Sequence, residues 1–208
     1  MCFNISVNSS KKKIEDAFNA QFDLGYEFIP NDSFNGFTNP KIPVITNENP
    51  NKIQMCDWGL IPYWIIDEVK ASNIKNKTLN ARSETLEKKP SFKNLIGKKH
   101  CLVIVDGFYE WRHEGKNKIK HHIYFNNKEL FAFAGLWDRW VNKMTGEIIS
   151  SFSIITQKAS GIMEHIHNSK LRQPIIIDKR NRDKWNQLYN YKEIINKSVD
   201  TKLEYTLV

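Results

Sequence analysis

The chain has 208 residues, 40% hydrophobic and 26% charged, which suits one soluble globular domain with a sizeable core spanning residues 1–208. Its 31 Lys and Arg against 23 Asp and Glu leave a net charge of +8, a balance that favours a polyanionic partner, nucleic acid first. No apolar run of about 18 residues and no N-terminal apolar leader is present, and Cys2, Cys56 and Cys101 are odd in number and widely spaced. The sequence therefore argues against a helical membrane span, a disulfide framework and a zinc site, and for a protein of the cytosol, or of the nucleus where the source has one.

In chain order, residues 2–7 alternate loosely and read as a first strand. Ser9-Ser10 then caps a short helix over residues 11–19, with Ile14 and Phe18 four apart on one face. Residues 21–43 hold Gly, Pro, Asn and Asp and read as a long loop with a turn at Asn39-Pro40. Residues 44–46 and 53–58 read as strands around a turn at 47–52, and residues 59–62 end the second. A polar, lysine-bearing stretch follows to Lys77, and Ser83 with Glu84 opens a short helix inside residues 80–86.

Residues 101–105 form a continuous apolar strand, Asp106-Gly107 a turn signal, and residues 108–112 a second strand. Further strands are expected at 122–125, 130–140 and 148–156, with a turn at 142–146 between the last two. A helical turn at 160–166, the apolar run 175–177 after Pro174, and a helix over 179–189 complete the reading. Strands outnumber helices and follow one another, which argues α+β with a mostly antiparallel, barrel-like sheet and peripheral helices.

Cys2 is the residue with the most chemistry. If Met1 is trimmed, an α-amine with a pKa of about 7.7–8.0 stands beside a thiol with a pKa of about 8.5. An amine and a thiol on adjacent carbons can capture one aldehyde together, first as a Schiff base and then as a five-membered thiazolidine. Taken alone, Cys2 is more often a small buried hydrophobe.

Three further segments change that balance: Leu79-Asn80-Ala81-Arg82-Ser83-Glu84-Thr85, Asp106-Gly107-Phe108-Tyr109-Glu110-Trp111, and Ile166-His167-Asn168-Ser169-Lys170-Leu171-Arg172-Gln173-Pro174. With Trp58-Gly59-Leu60-Ile61-Pro62-Tyr63-Trp64 and Phe133-Ala134-Gly135-Leu136-Trp137, they closely resemble the SOS-response-associated peptidase (SRAP) family. That family includes proteins that crosslink to abasic sites in single-stranded DNA. The resemblance spans nearly the whole chain.

The resemblance implies a DNA-damage-response enzyme that loses Met1 and binds the ring-opened abasic aldehyde as a thiazolidine. Some members are proposed to cleave the strand as lyases through a transient Schiff base, and the family name records a peptidase. By motif position, the nucleophile is Cys2, the orienting amide Asn80, the acid/base carboxyl Glu110 and the imidazole His167. The residue types suit the chemistry. A carboxyl between Tyr109 and Trp111 gains a raised pKa on desolvation and serves proton transfers at a carbinolamine, and an imidazole can protonate the deoxyribose ring oxygen. His165 competes with His167, because on a strand both would face one side.

Arg82 and Arg172 are matched to arginines that meet phosphates flanking the lesion, while Trp64 and Pro40 are matched to groups that stack on or wedge against an exposed base. Core packing is an equal alternative for Trp64. Lys70, Lys75, Lys77, Lys98 and Lys99 are candidates for a diffuse basic face. No metal or organic cofactor is implied. The implied partner is single-stranded DNA with abasic sites, met by a monomer in the cytoplasm, at the nucleoid when bound.

The chain departs from the family pattern at its start, where Phe3 and Asn4 replace the usual Gly-Arg, and at Phe37, where Asn is common. A thiol-dependent peptidase and a non-reactive single-strand binder are the rival readings.

Overall fold

The computed structural model describes residues 2–25, 27–196 and 203–208. Met1, whose removal the sequence reading expects, lies outside them. The strands are β1 (Asn4–Val7), β2 (Gln21–Phe22), β3 (Asn31–Asn35), β4 (Lys41–Thr46), β5 (Lys52–Trp58), β6 (Asn80–Arg82), β7 (His100–Val105), β8 (Gly107–Glu114), β9 (Asn117–Phe125), β10 (Phe131–Val141), β11 (Ile148–Lys158), β12 (Arg172–Pro174), β13 (Ile176–Ile177) and β14 (Leu203–Leu207). The helices are α1 (Lys11–Phe18), α2 (Glu68–Lys75), α3 (Ile162–Ile166), α4 (Arg182–Asn186) and α5 (Tyr191–Asn196).

Short β-branched and aromatic runs build two sheets. In the larger, β11, β10, β7, β4 and β5 pair in turn, and β5 returns to β11 in parallel with Trp58 opposite Phe152, so five strands close into a barrel. Closure leaves those five strands no free edge. The smaller sheet runs β14-β9-β8-β1-β3 and is antiparallel throughout. One continuous cluster of buried apolar side chains includes Ile5, Phe108 and Ile123 of the smaller sheet and Val44, Val103, Phe133 and Phe152 of the barrel. The protein is α+β, mostly antiparallel, with its helices at the periphery.

Several sequence expectations hold in detail. Ser10 caps α1 by accepting the Lys13 N–H, and Ile14 is the helix's buried residue. The 142–146 turn closes with the Gly146 N–H donating to Asn142 O at 2.7 Å.

Others need correction. Residues 21–43 are not one loop: they contain β2, β3, a one-turn helix at Gly36–Thr38 and the start of β4. β3 is a polar edge strand recruited by backbone pairing with β1, so it leaves no apolar alternation to read. The lysine-bearing stretch before Lys77 is largely α2, capped by Asp67 and burying only Ala71, too little for a periodic signal. Asp106-Gly107 is no hairpin turn, because β7 belongs to the barrel and β8 to the other sheet. Asp106 instead steers the crossover, its carboxylate accepting the N–H groups of Asn8 and Ser9 at 2.6 and 2.9 Å. The expected 179–189 helix is broken into a one-turn helix at Lys179–Asn181 and α4, and α5 follows separately.

Candidate active site

The four predicted chemical residues come from four distant places and converge. β1 runs antiparallel to β8 with Asn4 opposite Tyr109, so this register carries the chain start alongside Glu110. β6 lies against β11 in parallel, Asn80 opposite Ile154, and Trp58 pins the preceding residue by donating its indole N–H to Leu79 O at 2.9 Å. Asn80 then donates from Nδ2 to Cys2 O at 2.9 Å. Its Oδ1 is buried and has no hydrogen-bond partner among the described residues.

Cys2 is fully buried, its Sγ 3.9 Å from Asn4 O. Burial, and then the charge of Glu110, push its thiol well above the usual value. Glu110 is 4% exposed, and desolvation pushes its carboxyl up to about 8. His167, the residue that caps the C-terminus of α3, points Nε2 at Glu110 Oε2 at 3.5 Å.

His167 is held from its other side as well. The backbone N–H of Arg172 donates to Nδ1 at 3.1 Å, which fixes the ring proton on Nε2. Burial lowers the imidazole to about 4. Near neutral pH the pair is therefore a neutral imidazole whose Nε2–H faces a protonated carboxyl 3.5 Å away.

Asn168 fastens this loop to β8 by taking the His113 N–H at 3.0 Å and donating to His113 O at 2.9 Å. Asn168 lies in the Ile166–Pro174 segment singled out from the sequence, but no role was assigned to it there. His165, the competing imidazole, is exposed and sits on a helix rather than a strand, so it does not share the face of His167. Its carbonyl accepts a hydrogen bond from Arg112.

A pocket of about 470 Å³ opens beside the pair, lined by Phe3, Glu110, Trp111, His113, Lys118, His167, Ser169 and Lys170. Lys118, Lys170 and His113 are exposed at its rim, and the two lysines are cationic candidates the sequence reading did not single out. Among the described residues, no cluster of three or more His, Cys, Asp or Glu could hold a metal ion.

The expected DNA contacts are more varied. Arg82 is exposed and its side chain pairs with none of the described residues. Arg172 is engaged: its guanidinium forms a two-pronged pair with Glu84, with Nη2–Oε2 at 3.0 Å, and Nη2 also donates to Thr156 O at 2.7 Å. A phosphate at Arg172 would have to displace Glu84, so here the residue ties the site loop to β11 and to the turn after β6. Trp64 is 45% exposed and makes no ring contact with the described residues, which argues against the core-packing alternative. Pro40 is half-buried between the Gly36–Thr38 turn and β4, its carbonyl accepting the Trp58 N–H at 2.9 Å. Of the five lysines, Lys75 is paired with Asp57 at 2.8 Å and Lys99 with Asp138 at 3.1 Å, while Lys70, Lys77 and Lys98 are exposed.

A cysteine near the chain start, an amide on its carbonyl and a buried carboxyl–imidazole pair thus meet at one place in the fold. Comparison with known proteins identifies the family. The family profile described as SOS response associated peptidase (SRAP) matches residues 1–206, and the chain belongs to that family. It is 38% identical over 188 residues to the abasic site processing protein YobE of Bacillus subtilis, covering 89% of this chain and 81% of that one. It is also 36% identical over 139 residues to the abasic site processing protein HMCES of Xenopus tropicalis, covering 58% of this chain and 40% of that one. A crystal structure of a Bacteroides thetaiotaomicron protein superposes with a TM-score of 0.93 at 36% identity, covering 100% of this chain and 92% of that one.

Proposed function

We propose that this protein captures abasic sites in single-stranded DNA covalently, through the α-amine and thiol of Cys2 once Met1 is removed. The observation that carries the reading is the convergence of Asn80, Glu110 and His167 on that cysteine. The relatives named abasic site processing proteins supply the substrate class.

The chemistry starts with the closed deoxyribose. Its C1 hydroxyl loses a proton, the ring oxygen gains one, and the bond between C1 and the ring oxygen breaks to give the aldehyde. Glu110, protonated near neutral pH, is the donor suited to the ring oxygen. His167, neutral and held by Arg172, orients that carboxyl through Nε2–H rather than delivering the proton itself. The amine of Cys2 adds to the aldehyde carbon, and the carbinolamine hydroxyl leaves as water with a proton from Glu110, whose carboxylate has taken up the proton released by the C1 hydroxyl. The thiol then adds across the C=N bond: carbon–sulfur forms, the thiol proton passes to nitrogen, and the ring closes with one water lost overall. Asn80 holds the Cys2 carbonyl, and its open Oδ1 is an acceptor for the amine or a sugar hydroxyl.

The rival peptidase reading fits less well. A cysteine protease depends on a thiolate lowered by a neighbouring imidazolium. Here the thiol is raised, and His167 faces a carboxyl while holding no charge.

Intact mass of the purified protein, alone and after mixing with an abasic single strand, tests the proposal. The expected result is a chain lacking Met1 that gains the mass of the oligonucleotide less one water and survives heat and detergent. A chain beginning at Cys2 that forms no such adduct overturns it.

A further inference from the structure

Phe37 is an anomaly outside the chemical quartet. It is 51% exposed, yet it is held firmly. It sits in the one-turn helix Gly36–Thr38, where Asn35 Oδ1 accepts the Phe37 N–H at 3.0 Å and the turn ends on left-handed Asn39. Gly36 donates its N–H to Phe3 O at 2.8 Å, which binds the turn to the residue next to Cys2. A side chain at Gly36 would meet the Trp58 ring 3.2 Å away, so glycine lets the turn approach the barrel this closely.

The ring so presented lies on Phe3, with centroids 4.7 Å apart and planes inclined at 34°. Phe3 is only partly buried, and it lines the pocket that contains Glu110 and His167. The same pocket carries Lys118, Lys170 and His113 on its rim. An exposed aromatic surface beside a cationic groove is the physical requirement for holding unpaired bases, because every base has a stacking face and the backbone is anionic.

We propose that Phe37, backed by Phe3, is a stacking platform for the nucleobase adjacent to the lesion. The inference rests on the capture reading above and deepens it. A sugar joined to Cys2 puts the next nucleotide one step from the bond, and Phe3 is the residue one step from Cys2. The platform is sequence-tolerant, since stacking on a phenyl face does not read hydrogen-bonding edges. It holds the strand while the slower covalent steps proceed.

The test uses a single strand with one tetrahydrofuran abasic analogue, which has no aldehyde, and 2-aminopurine as its 5′ or 3′ neighbour. With wild-type protein, the fluorescence at one of the two positions should be quenched on binding. Phe37→Ala should abolish that quenching and weaken binding by about five- to a hundredfold, the range that base–aromatic stacking supplies. Phe37→Leu preserves an apolar contact with Phe3 but has no π-face, so it should behave like Phe37→Ala. Phe37→Trp should restore quenching and affinity. If Phe37→Leu binds and quenches like wild type, Phe37 is only packing and the platform is overturned. A second strand with the natural aldehyde separates the two proposals. No adduct from wild type defeats the capture reading, whereas an adduct together with unaltered quenching and affinity in Phe37→Ala defeats the platform alone.

Discussion

Two regions of this molecule each hold a buried cysteine and a buried histidine, and they differ in what surrounds them. In the barrel, His100 and Cys101 are adjacent on β7 and fully buried. His100 has both ring nitrogens on backbone: Nε2 accepts the Gly97 N–H at 2.9 Å, Nδ1 donates to Trp185 O at 3.1 Å, and the ring stacks on Trp185 with centroids 4.1 Å apart. At the chain start, His167 has one nitrogen on backbone and the other on Glu110. Burial lowers both imidazoles to about 4 and raises both thiols well above the usual value. The same shifts mean different things. In the barrel the imidazole spends both nitrogens on backbone and Tyr191 meets its ring only edge to face, so the shift records packing. Beside Cys2 a second titratable group is within reach, so protons have somewhere to go.

Exchanging the thiols should break the comparison most visibly. Cys2→Ser keeps the amine but offers a poorer ring-closing nucleophile. It should still form a Schiff base trappable by borohydride, while the adduct that survives heat and detergent is nearly lost. Cys101→Ser should leave adduct formation intact and cost about 1–3 kcal/mol of stability in denaturant unfolding, because a hydroxyl is buried there without a partner. Equal loss of the heat-stable adduct in both variants would erase the distinction.

Glu110→Gln sharpens the same contrast. Capture should slow by about 10²–10⁴-fold, the usual cost of one acid/base group, with binding to undamaged single strands retained. The variant should also gain stability relative to wild type as pH rises. A carboxyl raised from 4.5 to about 8 in the folded protein contributes fully below about pH 4.5, and its contribution is lost as pH climbs toward 8. Removing it should therefore benefit the variant by on the order of a few kcal/mol at pH 8. The lowered histidines work in the opposite sense, their contribution present above pH 6.5 and lost as pH falls toward 4. Melting temperatures of both proteins between pH 5 and 8, with His100→Gln as the packing control, read these slopes directly. Parallel profiles for wild type and Glu110→Gln would contradict the assignment.

The smallest expected effects separate two arginines. Arg82 is exposed and its side chain pairs with none of the described residues, so Arg82→Ala should weaken single-strand binding and reduce the slope of log affinity against log salt by about 1. Arg172 spends its guanidinium on Glu84 and Thr156, so Arg172→Ala should lower the melting temperature and leave that slope nearly unchanged. A drop in salt slope for Arg172→Ala would show that Glu84 yields to a phosphate.

The sequence by itself determined the family and the fold class. Cys2, Asn80, Glu110 and His167 were each singled out as candidates by their motifs, and short apolar runs with few helical stretches were enough for a strand-rich α+β fold. Tertiary structure alone decided how those parts are used. β3 and α2 were illegible because backbone pairing and a single buried alanine, not an apolar period, hold them in place. Asp106-Gly107 looks like a hairpin turn in any window of local sequence, and only the destination of the two strands makes it a crossover between sheets. The proton inventory of His167 depends on an N–H five residues later. The commitment of Arg172 depends on Glu84, 88 residues away. Neither is a property of residue type. Each depends on which groups the fold brings within hydrogen-bond reach, and how dry it leaves them.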